Sequence, residues 1–171
     1  ILGFVVEYPL PVPWSLDRDE AAALIKKVKE PHKSCIVTGG TPQKVIDLAI
    51  RLRPALLQLH YNETAGQTAL ISDALRKHKI GVIKTIPTRA EDRISQFGTS
   101  DIESAVSMLC ETSVYALLAD ARAPFNAFEK GARIDLDFCS RIIAASSKPV
   151  IVAGGIMPII FLMSCLKRGR G

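Results

Sequence analysis

The sequence predicts an α/β fold in which β-α units repeat along a parallel sheet. Three observations predict it. Short apolar runs without polar alternation recur through the chain, the mark of strands covered on both faces. Segments of helical period separate them. The runs stand roughly 20 to 35 residues apart, the spacing of a right-handed parallel β-α-β unit. Six strands are legible, which suits either an open doubly wound sheet or part of an eight-stranded barrel.

Leu2–Val6 (LGFVV) reads as the first strand. Glu7 and a loop with Pro9, Pro11, Pro13 and Trp14 end it, because that many prolines fit neither a helix nor a sheet interior. Ser15 or Asp17 then caps a helix over Asp19–Lys29, whose stripe is Ala22, Leu24, Ile25 and Val28. Ser34–Val37 is the second strand and Thr38-Gly39-Gly40 its exit. Thr41 followed by Pro42 is a helix start, and the helix runs to about Arg53. Ala55–His60 (ALLQLH) is the third strand, with Gln58 and His60 on one face and Leu57 and Leu59 on the other. A helix follows over about Gln67–Lys77. Ile80–Ile86 is the fourth strand, stopped by Pro87. The polar stretch Thr88–Ser100 reads as an active-site loop and Asp101–Cys110 as a helix. The fifth strand lies in Val114–Arg122 (VYALLADAR) and closes on one carboxylate, Asp120. Asp135 opens a helix, and Lys148–Ala153 is the sixth strand, running into Gly154-Gly155.

The 171 residues suit one domain, and 48% hydrophobic with 23% charged residues is ordinary globular composition. Net charge is +5, without a solidly basic window. A solvated face explains it better than nucleic-acid binding, and it suits a small anionic substrate. Cys35, Cys110, Cys139 and Cys165 lack metal-like spacing and do not pair with the three histidines, so we expect reduced thiols in a cytoplasmic protein and no metal site. No apolar run reaches membrane-spanning length, and no membrane segment is expected. Ile1 in place of Met, inside an apolar run, leads us to expect a native start upstream.

In either architecture ligands gather at the C-terminal strand ends. Those ends carry Glu7, Thr38–Gly40, Gln58, His60, Lys84, Asp120 and Gly154-Gly155. The set is polar and small, unlike the strand middles, and that contrast points to an enzyme. Asp120 is either a catalytic acid or a cap on the next turn. His60 is either a proton-transfer or donor group or a histidine satisfied by its neighbours. Lys84 either pairs with an anionic ligand or is an interior lysine bonded to Glu7 or Asp120. Gly154-Gly155 either offers backbone N–H groups to phosphate or makes a tight turn. Cys35 starts its strand, the wrong end for chemistry, and no thiol nucleophile is placed.

Taken in order, LGFVV, TPQKVIDLA (Thr41–Ala49), ALLQLHYNE (Ala55–Glu63), GVIKTI (Gly81–Ile86), ALLADA (Ala116–Ala121), ARIDLDF (Ala132–Phe138) and KPVIVAGGI (Lys148–Ile156) resemble phosphoribosylanthranilate isomerase. QLH after a buried strand is the most specific piece; AGG is shared with other phosphate-binding barrels. The resemblance implies a single (β/α)8 TIM-barrel domain over 1–171, with six to seven β-α units present. It implies conversion of N-(5-phosphoribosyl)anthranilate to 1-(2-carboxyphenylamino)-1-deoxyribulose 5-phosphate by acid/base Amadori rearrangement, without a cofactor. Asp120 maps onto the general acid that opens the sugar ring. Gly154 and Gly155 map onto the phosphate cradle and Ser164 onto a remnant of the eighth-strand phosphate turn, while Gln58, His60 and Lys84, from their place at the strand ends, are the further candidate substrate or phosphate contacts. The family's general-base cysteine ends a first strand that would precede Ile1, and the C-terminal end departs from the family pattern, so we expect missing segments at both ends. The expected partners are a small anionic phosphosugar and, as a homodimer, a second copy of the chain, with neither nucleic acid nor a membrane. Two other readings compete. One is another phosphate-binding barrel enzyme, a sugar-phosphate epimerase or an indole-glycerol-phosphate synthase using Lys84 with Glu7. The other is a non-catalytic doubly wound ligand-binding domain, weakened because Glu7 alone is acidic after Val6.

Overall fold

A computed structural model describes residues 1–120 and 135–154. The elements run β1 (Leu2–Val5), α1 (Arg18–Ile25), β2 (Ser34–Thr38), α2 (Pro42–Leu52), β3 (Leu56–Leu59), α3 (Ala65–Arg76), β4 (Gly81–Ile86), α4 (Ala90–Phe97), α5 (Ile102–Cys110), β5 (Ala116–Asp120), α6 (Leu136–Ala145) and β6 (Val150–Ala153). The six strands form one sheet in chain order, each parallel to the next. That order corrects the doubly wound alternative. A doubly wound sheet reverses its strand order so that helices cover both faces. Here the order never reverses, so crossovers of one hand stack the helices on one face and the sheet curls away from them.

Strand alternation therefore builds two cores. Leu57, Leu59, Val82, Ile86, Leu117 and Ala119 face the helices and pack with Val45, Leu48, Ile71, Leu75, Leu109 and Ile142. Their neighbours in sequence face the concave side, where Cys35, Leu56, Ile83, Ala116 and Leu118 form a second, smaller cluster. Register supports the split: Cys35 pairs with Leu56, Ile83 with Ala116, and Leu118 with Ile151.

Local signals explain the helix ends. Asp17 caps α1 and shares a capping box with Glu20. Thr64 and Gln67 do the same for α3. Helix α1 stops at Ile25, short of the expected Lys29. The stretch 88–100 is a correction: it contains helix α4 rather than an open loop. Arg93 explains why. Its Nε donates to Ser100 O at 2.8 Å, and its Nη1 to Pro87 O and Thr88 O at 2.9 and 2.7 Å, tying both ends of the segment together.

Cys35 is 2% exposed on the concave side, and burial pushes its thiol up to about 12. Iodoacetamide at about pH 8 should leave Cys35 unmodified in the folded protein and label it after denaturation. Peptide mass spectrometry checks this; labelling at the rate of a free thiol before unfolding would show that the concave core is open.

Candidate active site

His60 directly follows β3 and Asp120 ends β5, both at the C-terminal edge of the sheet. Alternation puts Gln58 and His60, and Ala116, Leu118 and Asp120, on the concave side. The two site residues meet across β4: His60 Nε2 lies 3.8 Å from Asp120 Oδ2, with side chains 16% and 15% exposed. Both thus stand at a mouth, wet enough for ligand access and dry enough to strengthen their interaction. Asp120 pairs in register with Ala153, so Gly154 lies on the same rim, one residue past its partner. Gly154 has φ 81°, a left-handed conformation that glycine adopts without strain. Gly155 and Ser164 lie outside the described residues.

The backbone of His60 is fixed from two directions. Its N–H donates to Thr38 O at 3.4 Å, and its carbonyl accepts from Tyr8 Oη at 2.7 Å. Burial, with Glu63 adding to it, drives the Tyr8 phenol above its ordinary range and keeps it a donor. The Tyr8 ring meets the Tyr61 ring edge-on at 6.2 Å.

Beneath this runs a buried ion pair that the sequence reading does not contain. Lys84 Nζ donates to Glu63 Oε2 at 3.0 Å, with both side chains 0% exposed. Glu63 also accepts from Gly40 N at 3.3 Å and Tyr61 N at 3.4 Å. One carboxylate therefore joins the β2 exit, the β3 exit and the body of β4. Burial pulls Lys84 below its ordinary value, and Glu63 opposes that. Lys84 pairs in register with Leu59 and Leu117, so it faces the helices, not the concave side. The expectation of a lysine bonded to Glu7 or Asp120 is thus corrected. Glu7 is held instead by Arg18, at 2.9 and 3.0 Å. The Lys84–Glu7 couple that the synthase reading needs does not form.

Gly39 makes room for this junction. A Cβ there would collide with Tyr61 Cβ and lie 2.6 Å from Glu63 Oε1. Thr85, which the sequence reading passes over, is on the concave side in register with Leu118. Its buried Oγ1 has no hydrogen-bond partner among the described residues. Among those residues there is also no cluster of three or more metal-ligating side chains, and no helix is long and apolar enough to cross a membrane.

No family model matches the chain. It is 28% identical over 166 residues to N-(5'-phosphoribosyl)anthranilate isomerase 1 of Methanosarcina mazei, covering 92% of this chain and 68% of that one. It is 27% identical over 161 residues to N-(5'-phosphoribosyl)anthranilate isomerase of Methanosarcina acetivorans, covering 92% and 66%. The chain thus spans about two thirds of the length of these relatives. In fold it is similar to the crystal structure of phosphoribosyl anthranilate isomerase from Thermus thermophilus, with TM-score 0.68 and 21% identity over 98% of this chain and 72% of that one.

Lys84→Met strands the Glu63 carboxylate in the interior and should lower the unfolding free energy by about 3–5 kcal/mol, whereas Lys84→Met with Glu63→Gln should recover most of that loss. Equal losses in the single and double variants, by urea titration, would refute the coupling. Gly39→Ala should cost about 1–3 kcal/mol in the same assay, through forced displacement of Tyr61.

Proposed function

We propose that this chain, a homologue of the N-(5'-phosphoribosyl)anthranilate isomerases, carries the acid side of the same active site. The whole of 1–171 then belongs to one (β/α)8 barrel domain. The observation that carries the reading is the His60–Asp120 pair at the C-terminal mouth of a sheet whose strands follow chain order.

The chemistry follows from what the reaction demands. In the phosphoribosyl amine, the Asp120 carboxyl donates a proton to the ring oxygen. The C1–O bond breaks, and the nitrogen lone pair forms the C1=N iminium. Loss of the C2 proton to a second group on the opposite face gives the enamine, which tautomerises to the 2-ketone. Neither step needs a redox partner, because C1 is reduced as C2 is oxidised. His60, 3.8 Å from Asp120, orients the carboxyl and offers a ring nitrogen to a substrate oxygen. Gln58, deeper on the concave side, reaches the sugar hydroxyls. Lys84 acts indirectly, as the group that holds Glu63 and with it the 60–63 turn. Gly154 and Gly155 supply backbone N–H groups to the phosphate, and Ser164 adds a hydroxyl. A phosphosugar substrate, a homodimer and a cytoplasmic setting complete the reading. The free thiols of Cys35, Cys110 and Cys139 suit a reducing compartment.

The test is turnover of N-(5-phosphoribosyl)anthranilate by the protein that carries this chain. Asp120→Asn should lower kcat by about 10²–10⁴-fold, the usual worth of a positioned general acid, with the unfolding midpoint unchanged. Near-normal kcat in that variant would remove Asp120 from the acid role. Consumption of a pentulose phosphate but not the anthranilate would move the activity to the epimerases.

A further inference from the structure

At the rim opposite His60 and Asp120, an open groove of about 820 Å³ runs under the strand starts. It is framed by the chain after α1 and by the corners between α2 and β3 and between α3 and β4. Lys29, Lys33, Arg53 and Lys79 line it, with His32 and His78 beside them, and all six are exposed. Glu30 is the one carboxylate among the described lining residues. Val28, Ile50 and Pro54 give it an apolar floor.

Cations near helix C-termini ordinarily offset the helix dipole. Here that need is already met in the last turns of α2 and α3, by Arg51 and Arg76. Arg53 and Lys79 sit beyond those turns, in left-handed backbone with φ 50° and 60°. Glycine is the ordinary occupant of such corners, and a side chain there is strained. The chain thus keeps a strained cation at two successive corners, and both open into the same groove. Strain held at a surface corner points to a use for the side chain.

We propose that this groove binds a small organic polyphosphate, with its phosphates on Arg53, Lys79, Lys29 and Lys33 and its organic part on the apolar floor. Four clustered cations exceed what one phosphate neutralises, and the volume is that of a small-molecule site. The inference does not depend on the isomerase reading, since the two sites are at opposite ends of the strands.

The chain's three histidines make the test direct, because His32 and His78 report on the groove and His60 on the mouth. ADP added to the full chain should raise its unfolding temperature and shift the His32 and His78 ring signals in NMR, leaving His60 in place. Arg53→Gly with Lys79→Gly removes both charges and relieves both corners. Without ADP this variant should unfold at the same temperature or higher, and its ADP affinity should fall at least about tenfold. Unchanged ADP affinity in the variant, shifts confined to His60, or a less stable variant would each overturn the proposal. So would a response of His32 and His78 to poly-glutamate with none to ADP, which would give the groove to an acidic polypeptide.

Discussion

The Glu63–Lys84 pair is the constraint on which the mouth of this sheet depends. Both charges are fully buried, so neither can be removed alone without leaving the other unsolvated. Such a pair adds little net stability compared with apolar residues of the same shape. What it adds is a single arrangement. Glu63 binds Lys84, Gly40 N and Tyr61 N together, and only one path of the two exit loops satisfies all three. The turn that presents His60 is therefore fixed from beneath by charge and from the side by Tyr8.

Alternation then converts that fixed turn into a site. Residues two apart in a strand share a face, so the polar tips of β3 and β5 come to the same concave edge as Ile83, Ala116 and Leu118. Their odd-even neighbours seal the helix layer. A one-residue slip in β5 would send Asp120 into the outer core and Ala119 to the mouth. The large apolar residues of the outer face, Leu117 above all, forbid that slip because they would lose their cover. The packing under the helices and the acid at the mouth are thus two consequences of one register.

That logic also separates what the sequence tells from what it does not. Apolar runs, prolines and caps locate the six strands among the described residues, and the parity of QLH and of ALLAD is enough to bring Gln58, His60 and Asp120 to one face. Strand order is not legible, because doubly wound sheets and barrels use the same β-α spacing; it emerges only from pairing. The partner of Lys84 is likewise hidden. A lysine inside an apolar run announces that a carboxylate is near, but the strand ends suggest Glu7 or Asp120, whereas Glu63 lies in a loop past its strand. The helix-facing side of β4 selects Glu63, and that is a property of the assembled layers. Helix α4 is missed, because the polarity of Thr88–Ser100 reads as a loop; Glu91 and Asp92 in its first turn are the signal that could find it, and the role of Arg93 in pinning both ends depends on carbonyls that only the folded chain brings together.

The two rims of the sheet show different uses of strain and charge. At the mouth, charge is buried, paired and held by neutral donors, so the side chains are preorganised before any substrate arrives. At the opposite rim, cations are exposed and outnumber the one carboxylate, Glu30, among the described lining residues, and two of them occupy corners that their own side chains make less comfortable. Preorganisation is what proton transfer requires, since a misplaced acid loses rate steeply. Exposed cations suit capture of a charged group whose position need not be exact. Strand polarity puts the first kind of surface at one end and leaves the other free for the second, and nothing in the register couples the two.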